Sequence, residues 1–342
     1  MDKQNIFLNY IRVLIVGICI FISLSACKFA SFGSLTPVRG SDFYFDTVIT
    51  VTLYGKDREE YIKGCFSIAD HYEKLLSATE KNSDVSKINE AGGKEVTVSD
   101  ETIELVEKAI EYAKLSDNLF DPTVGELTRL WDFHGDPADK KSRIPDDKEI
   151  KKAVDSIGYN NIIIRGNTIA LKKGRLDLGG IAKGFIADKM KEYLEENGIK
   201  NGIINLGGNI LLLGPKDNGD EYTVGIQKPF EEEGKPAFTL RSSNKSIVTS
   251  GTYERYFIVN DKLYHHILNP FTGYPEDNDI SSVTVITDSS TDADALSTAL
   301  FLMGKDKALS FAKENDDVDI IIITNGGEII SSSDDLILDV YE

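Results

Sequence analysis

The sequence predicts an α+β fold built as a single large mixed domain. β-rich runs and helix-periodic runs interleave without a regular strand–helix–strand period, which disfavours a doubly wound parallel sheet. No linker-like stretch divides the chain, and no repeat-length period or long low-complexity run is present. Setting aside an N-terminal address segment leaves roughly 310 residues, enough for one large domain or two small ones.

The elements follow in order. Phe43 to Tyr54 (FYFDTVITVTLY) is dense in β-branched and aromatic residues and predicts a strand. Ile62, Cys65, Phe66, Ala69, Tyr72 and Leu76 recur at helical spacing and predict a helix over 58–76. The polar run 77–89 reads as a turn ending in Ser83-Asp84-Val85-Ser86-Lys87-Ile88-Asn89. A short strand at 95–98 precedes a helix to about residue 116, opened by Ser99 with Thr102 three residues on. Residues 117–123 read as a loop, 124–133 as a short helix carrying the only tryptophan, Trp131, and 135–147 as a charged loop. A helix at 149–157 leads into a hairpin of 161–164 and 168–171 around Gly166-Asn167. A strand at 175–178, the pair Gly179-Gly180 and a helix from Ile181 to Gly198 come next. Residues 202–213 read as strand, glycine turn, strand, followed by strands at 222–227, 238–242 and 246–249. A hairpin of 256–259 and 263–267 turns at Asn260-Asp261. A long strand at 280–287, helices at 291–303 and 305–314, and strands at 319–324 and 329–331 close the chain.

The N-terminus reads as an address. Lys3 and Arg12 supply a positive start, and Val13 to Leu24 is an apolar run too short for an ordinary membrane span. Leu24-Ser25-Ala26-Cys27 resembles the bacterial lipobox. That resemblance implies a signal peptide over 1–26 and a lipoprotein carrying palmitate-type acyl chains at Cys27. Residues 27–40 would be the lipidated cysteine and a tether of small, polar and Pro/Gly-containing composition. An uncleaved anchor helix is the alternative. Either way the domain over 41–342 would be held at the cell membrane on its extracytoplasmic side.

The net charge of −18 argues against a nucleic-acid partner and requires that any anionic ligand be held by local cations, a metal or a helix end. Of the three cysteines, only Cys65 lies beyond the N-terminal segment, and no C-x-x-C metal or redox site exists. Cys65 reads as a buried small hydrophobe.

The stretch Leu176-Asp177-Leu178-Gly179-Gly180-Ile181-Ala182-Lys183-Gly184 stands out. A helix that starts directly after two glycines presents free N–H groups and a positive dipole end, and Lys183 adds a charge in its first turn. A phosphate cradle and a plain connecting turn both fit. A P-loop and a dinucleotide fingerprint are absent here. Downstream, Asp294 and Thr298 lie four apart on one helix face and offer two hard oxygens, as a magnesium site beside phosphates would. Asp292 is explained by the helix dipole, and Thr291 is the expected N-cap. His265 and His266 precede Asn269-Pro270; strand alternation allows at most one of them to serve a site, as general base or ligand contact. His71 and His134 read as structural. Thr249-Ser250-Gly251-Thr252-Tyr253 offers hydroxyls at a strand end, with no nucleophile elbow, so it reads as a phosphate or ribose contact or as an ordinary turn.

Together, eight segments resemble the FAD:protein FMN transferases of the ApbE type, in family order from about Phe43 to Gly304. They are Phe45-Asp46-Thr47, Ser83 to Asn89, Phe120-Asp121-Pro122-Thr123-Val124-Gly125, Leu176 to Asp188, Ile204-Asn205-Leu206-Gly207-Gly208-Asn209, Thr249-Ser250-Gly251, His266 to Pro270 with Thr272-Gly273, and Asp292 to Thr298. The resemblance implies a tunnelling-fold-like α+β domain. It implies Mg²⁺-dependent transfer of FMN from FAD to a Thr or Ser hydroxyl of a flavin-accepting protein, such as a membrane redox-complex subunit, with AMP released. It places Mg²⁺ at Asp294, Thr298 and the Gly180 main chain. It places the flavin nucleotide at Phe45, Thr79, Leu119, Phe120, Asp121, Asp177, Lys183 and Leu268, and His266 near the acceptor hydroxyl. A homodimer is left open. The chain departs from the family pattern at Phe45-Asp46, where Met-Gly is usual, in the segment Ser77-Ala78-Thr79-Glu80, where an aromatic often follows the serine, and at Asn269, where Asp is usual. Two rivals remain: an Mg²⁺-dependent FAD pyrophosphatase with water as acceptor, and a non-catalytic flavin-binding lipoprotein.

Overall fold

A computed structural model describes residues 36–133, 144–232, 234–334, 336 and 338–341. The signal segment, Cys27, His134 and most of the charged loop at 135–147 lie outside the described residues. Residues 37–342 form one compact unit. No helix among the described residues is long and apolar enough to cross a membrane.

The organising element is an eight-stranded antiparallel sheet whose spatial order is its chain order. Its strands are β1 (Pro37–Tyr44), β2 (Thr47–Tyr54), β3 (Gly202–Leu206), β4 (Asn209–Leu213), β5 (Ser246–Gly251), β6 (Ile280–Thr287), β7 (Asp319–Thr324) and β8 (Ile329–Ser331). Eight helices are described: α1 (Glu59–Leu76), α2 (Asp84–Glu90), α3 (Asp100–Leu115), α4 (Gly125–Trp131), α5 (Asp147–Val154), α6 (Ala182–Glu196), α7 (Ser290–Met303) and α8 (Lys305–Glu314). The first six are inserted between β2 and β3, and the last two between β6 and β7.

The sheet has two unlike faces because successive residues of a strand point to opposite sides. On the front, Val248 of β5, Val283 and Val285 of β6, and Ile320 and Ile322 of β7 join the main core with α6 and α7. On the back, Ile247, Ile286, Ile321 and Ile323 pack against a three-stranded sheet of Tyr222–Gln227, Pro236–Ser242 and Leu338–Val340. A third, aromatic cluster forms where Trp131 of α4 stacks with Phe133, Phe257 and Tyr264. A further three-stranded sheet joins Val96–Thr97 to the hairpin Ile162–Arg165 and Thr168–Leu171. Cys65 is fully buried, and burial pushes its thiol up to about 12, so it serves as a core hydrophobe.

The mixed α+β architecture is as expected, and five local expectations are corrected. The run 43–54 is a hairpin, not one strand: Phe45 and Asp46 both take positive φ (52° and 55°), the geometry of a tight two-residue turn between β1 and β2. Strand β1 begins at Pro37, inside the stretch read as tether. Residues 84–90 form helix α2, capped by Ser83, whose hydroxyl accepts from Ser86 N at 2.9 Å. Residues 175–178 are extended but join no sheet: Asn89 bonds both main-chain groups of Leu176, and Arg175 makes only an isolated bridge to Val124. The second hairpin closes at His265, so His266 lies just past its strand.

Candidate active site

The α6–α7 junction brings the two separated sequence signals together. Helix α6 starts after Gly179-Gly180 with no side-chain cap, and its first N–H groups find partners elsewhere: Ala182 N donates to the Leu178 carbonyl at 2.8 Å. One of them, Gly184 N, donates to Asp294 Oδ2 at 3.0 Å. Lys183 Nζ lies 3.2 Å from Asp294 Oδ1 and donates to the Gly179 carbonyl at 3.3 Å. Asp294 is only 4% exposed, so this paired carboxylate is largely withdrawn from solvent. Both helices approach closely because residue 184 is glycine: a Cβ there would sit 2.1 Å from the Ser290 carbonyl oxygen.

Hydroxyls complete the junction. Ser250 Oγ, at the end of β5, lies 2.8 Å from Ser297 Oγ and 3.3 Å from Thr298 Oγ1. Ser297 Oγ donates to the Asp294 carbonyl at 2.9 Å. Gly180 faces Thr298, with a Cβ direction reaching 3.9 Å from its Oγ1 and 3.1 Å from the Phe120 ring. The N-cap of α7 is Ser289, which accepts from Asp292 N; Thr291, expected in that role, instead donates its hydroxyl to Asp188 Oδ2 at 2.7 Å.

Asp294 and Thr298 share α7, Gly180 faces Thr298, and the Gly179 carbonyl and Asp294 share Lys183, so the oxygen donors at the junction include a single carboxylate. Among the described residues no group of three or more His, Cys, Asp or Glu side chains could hold a metal. Such a set suits Mg²⁺, which takes oxygen ligands and leaves much of its shell to water and phosphate. It does not suit zinc, which is held by several nitrogen, sulfur or carboxylate ligands. The Lys183 ammonium is lodged between the Gly179 carbonyl and Asp294.

A second wall carries groups that sequence reasoning missed. Glu254 and Arg255 follow the Thr249-Ser250-Gly251 strand end; Glu254 lies in the electrostatic range of Lys183, Arg255 and Asp294, and Arg255 in that of His266. Solvent reaches Glu254, yet protein crowds it. That desolvation pushes its carboxyl up to about 7, with Asp294 adding to the rise and Lys183 and Arg255 opposing it. The adjacent Glu-Arg pair was the available signal. His265 is buried and bonded through Nε2 to the Glu276 carbonyl. His266 donates its main-chain N–H to the Arg255 carbonyl at 3.1 Å, and its buried Nδ1 has no partner. Burial first, then Arg255, His265 and Lys183, push His266 down to about 3, so at neutral pH it is an uncharged imidazole.

The remaining expected residues divide. Phe120 is buried against Gly180 and packs edge-on to Tyr112, which places it at the junction. Asp177 accepts from Thr128 Oγ1 at 2.7 Å and from Gly179 N at 2.8 Å, and so shapes the turn before α6. Asp121 is buried and taken up by Thr123 N, Thr123 Oγ1 and Tyr159 N; burial raises its pKa, and its visible role is to hold the loop. Leu119 is half-buried against the main core. Leu268 is buried in the aromatic cluster, so its side chain faces protein. Phe45 N–H is held by Glu73 Oε1 at 2.6 Å, and Thr79 sits in a hydroxyl turn with Ser77.

Comparison with known proteins gives the chain its relatives. The sequence model described as the ApbE family matches residues 45–322. A FAD:protein FMN transferase of Klebsiella pneumoniae is 37% identical over 292 residues, covering 83% of this chain and 88% of the relative. One from Treponema pallidum is 32% identical and covers 90% of each. The crystal structure of the ApbE protein from Thermotoga maritima superposes with a TM-score of 0.80 at 32% identity, covering 87% of this chain and 97% of the other.

Proposed function

The chain belongs to the ApbE family, and from that premise we propose that it transfers FMN from FAD to a Thr or Ser hydroxyl of a partner protein, releasing AMP. The observation that carries this is the meeting of Lys183 with Asp294 across α6 and α7, with Gly180 facing Thr298 beside it. Cleaving a pyrophosphate needs charge neutralisation and alignment more than covalent help from the enzyme. Mg²⁺, held by Asp294, Thr298 and the Gly180 carbonyl, would neutralise phosphate charge.

This chain's own residues would do the rest. Lys183, aided by the positive dipole end of α6, binds the FAD phosphates, which requires it to exchange Asp294 for phosphate. Phe120 and the Asp177 turn hold the glycine pair open for the nucleotide. His266, neutral and with a free Nδ1, accepts the proton of the attacking hydroxyl. Its low basicity rises beside the phosphate negative charge. The bond formed joins the acceptor oxygen to the FMN phosphorus; the bond broken is the pyrophosphate link, whose oxygen leaves with AMP. Cys27 would carry the lipid that holds the enzyme outside the cytoplasmic membrane.

The test is incubation of the full chain with FAD, Mg²⁺ and a flavin-accepting protein, followed by the acceptor's mass. A gain of one FMN on Thr or Ser, abolished by a chelator, supports the transferase. AMP with free FMN and an unmodified acceptor would move the assignment to a pyrophosphatase. FAD that stays intact would leave a flavin-binding protein.

A further inference from the structure

Asp188 lies further along α6 than Lys183, and the chemistry above gives it no part. Its carboxylate accepts four hydrogen bonds from the start of α7: Ser289 Oγ at 3.2 Å, Ser290 N at 2.9 Å, Thr291 N at 2.8 Å and Thr291 Oγ1 at 2.7 Å. A helix start is ordinarily satisfied by its own N-cap residue. Here Ser289 supplies that cap to Asp292 N, and the Asp188 carboxylate, from a neighbouring helix, accepts from two more main-chain N–H groups. The same turn is tied to the sheet through Ser290 Oγ and Asn209 Oδ1, at 2.7 Å.

The two helices therefore touch at three successive points. Asp188 holds the first turn of α7, Gly184 packs directly on the Ser290 carbonyl, and Gly184 N with Lys183 Nζ holds the Asp294 carboxylate. A helix behaves as a rigid strut over so short a span, so the height and rotation at which Asp188 grips α7 fix where Asp294 and Thr298 stand. A weaker grip would let α7 slide on a glycine contact that has no side chain to stop it.

We propose that Asp188 is a positioning residue that sets the divalent-cation affinity of Asp294 and Thr298 by fixing α7 against α6, which rests on the cation site proposed above. Groups that orient metal ligands typically change affinity about 10- to 100-fold when removed. Replacing the carboxylate by an amide turns one acceptor into a donor that faces the N–H groups of α7. The grip is then weakened without a change of side-chain size, because Ser290 N loses its acceptor and meets an N–H donor.

Mn²⁺ binding to the full chain, followed by electron paramagnetic resonance, is the direct probe. Asp188→Asn is expected to weaken Mn²⁺ about tenfold or more. The Mg²⁺ concentration for half-maximal AMP release should rise by the same factor, with turnover recovering at saturating Mg²⁺. A carboxylate that only supports the fold would lower the melting temperature and the active fraction. It would leave Mn²⁺ affinity and the Mg²⁺ midpoint of the folded protein unchanged, and that result overturns the assignment. Should Asp188→Asn fail to fold, Thr291→Val decides. It removes one hydroxyl donor and should weaken Mn²⁺ about threefold, in line with one hydrogen bond; unchanged binding overturns the assignment. A wild-type chain that binds no Mn²⁺ would instead remove the cation site itself.

Discussion

The front and back of the central sheet are written by alternate residues of the same strands, yet they are different materials. In β5, Ile247 faces back into an aliphatic and aromatic layer with Leu212, Phe238 and Ile321. Its neighbour Val248 faces forward, and two residues on Ser250 reaches the hydroxyls of Ser297 and Thr298. The back layer needs only shape and apolarity. On the front, the Lys183 ammonium pairs with the Asp294 carboxylate, and the Ser250 hydroxyl meets those of Ser297 and Thr298, all beside an apolar core. A polar group withdrawn from water is costly unless partnered, so each of these is placed by a specific bond. Stability can be written by alternation alone, while the site must be assembled from segments far apart in the chain.

Breaking the front should therefore cost turnover, and breaking the back should cost stability. Outside the carboxylate of α7, the largest effect expected is at His266. His266→Asn should lower turnover about a hundredfold, as loss of a general base does, with the melting temperature little changed; steady-state AMP release and a thermal scan check both. Phe238→Ala on the back should cost about 3–5 kcal/mol of stability in a denaturant titration, with turnover per folded molecule intact.

Gly184→Ala lies between the two classes. Its methyl would meet the Ser290 carbonyl at 2.1 Å, so α6 and α7 must part. A stability loss of about 1–3 kcal/mol is expected, together with a higher Mg²⁺ midpoint, whereas a pure back-layer defect would leave the midpoint alone.

The smallest effect is at Glu254. Its folded pKa, about 7, lies above the ordinary 4.5, so the native state resists ionisation. Stability is then undiminished below about pH 4.5 and is lost as pH rises through about 7. Glu254→Gln should accordingly raise the melting temperature more at about pH 8 than at about pH 5. An equal gain at both would show that Glu254 ionises freely.

Much of this was legible in the sequence, for physical reasons. The periodic helices α1, α3, α6 and α7 and the alternating strands could be read because their burial is local and repeats with backbone period. Lys183, Asp294 and Thr298 could be read because helix starts and i,i+4 pairs are local geometry. The turn at Phe45-Asp46 could not, because it interrupts a β-rich run without glycine, and Glu73, 28 residues away, bonds the Phe45 N–H. Asp121 is an acidic residue turned inward by Tyr159, and Leu268 a hydrophobe claimed by the Trp131 cluster. Asp188 and Glu254 acquire meaning only from segments that no spacing connects to them. Long-range partners separate what was visible from what was not.

The proposed transfer requires a cation and the FAD pyrophosphate to meet at the α6–α7 junction. The most direct measurement is AMP release from FAD by the full chain as Mg²⁺ is titrated, in the wild type and in Asp294→Ala. The account predicts saturable, chelator-sensitive release that falls at least about a hundredfold in the variant, with its melting temperature close to wild type. Release that ignores Mg²⁺, or that survives in Asp294→Ala, would contradict it.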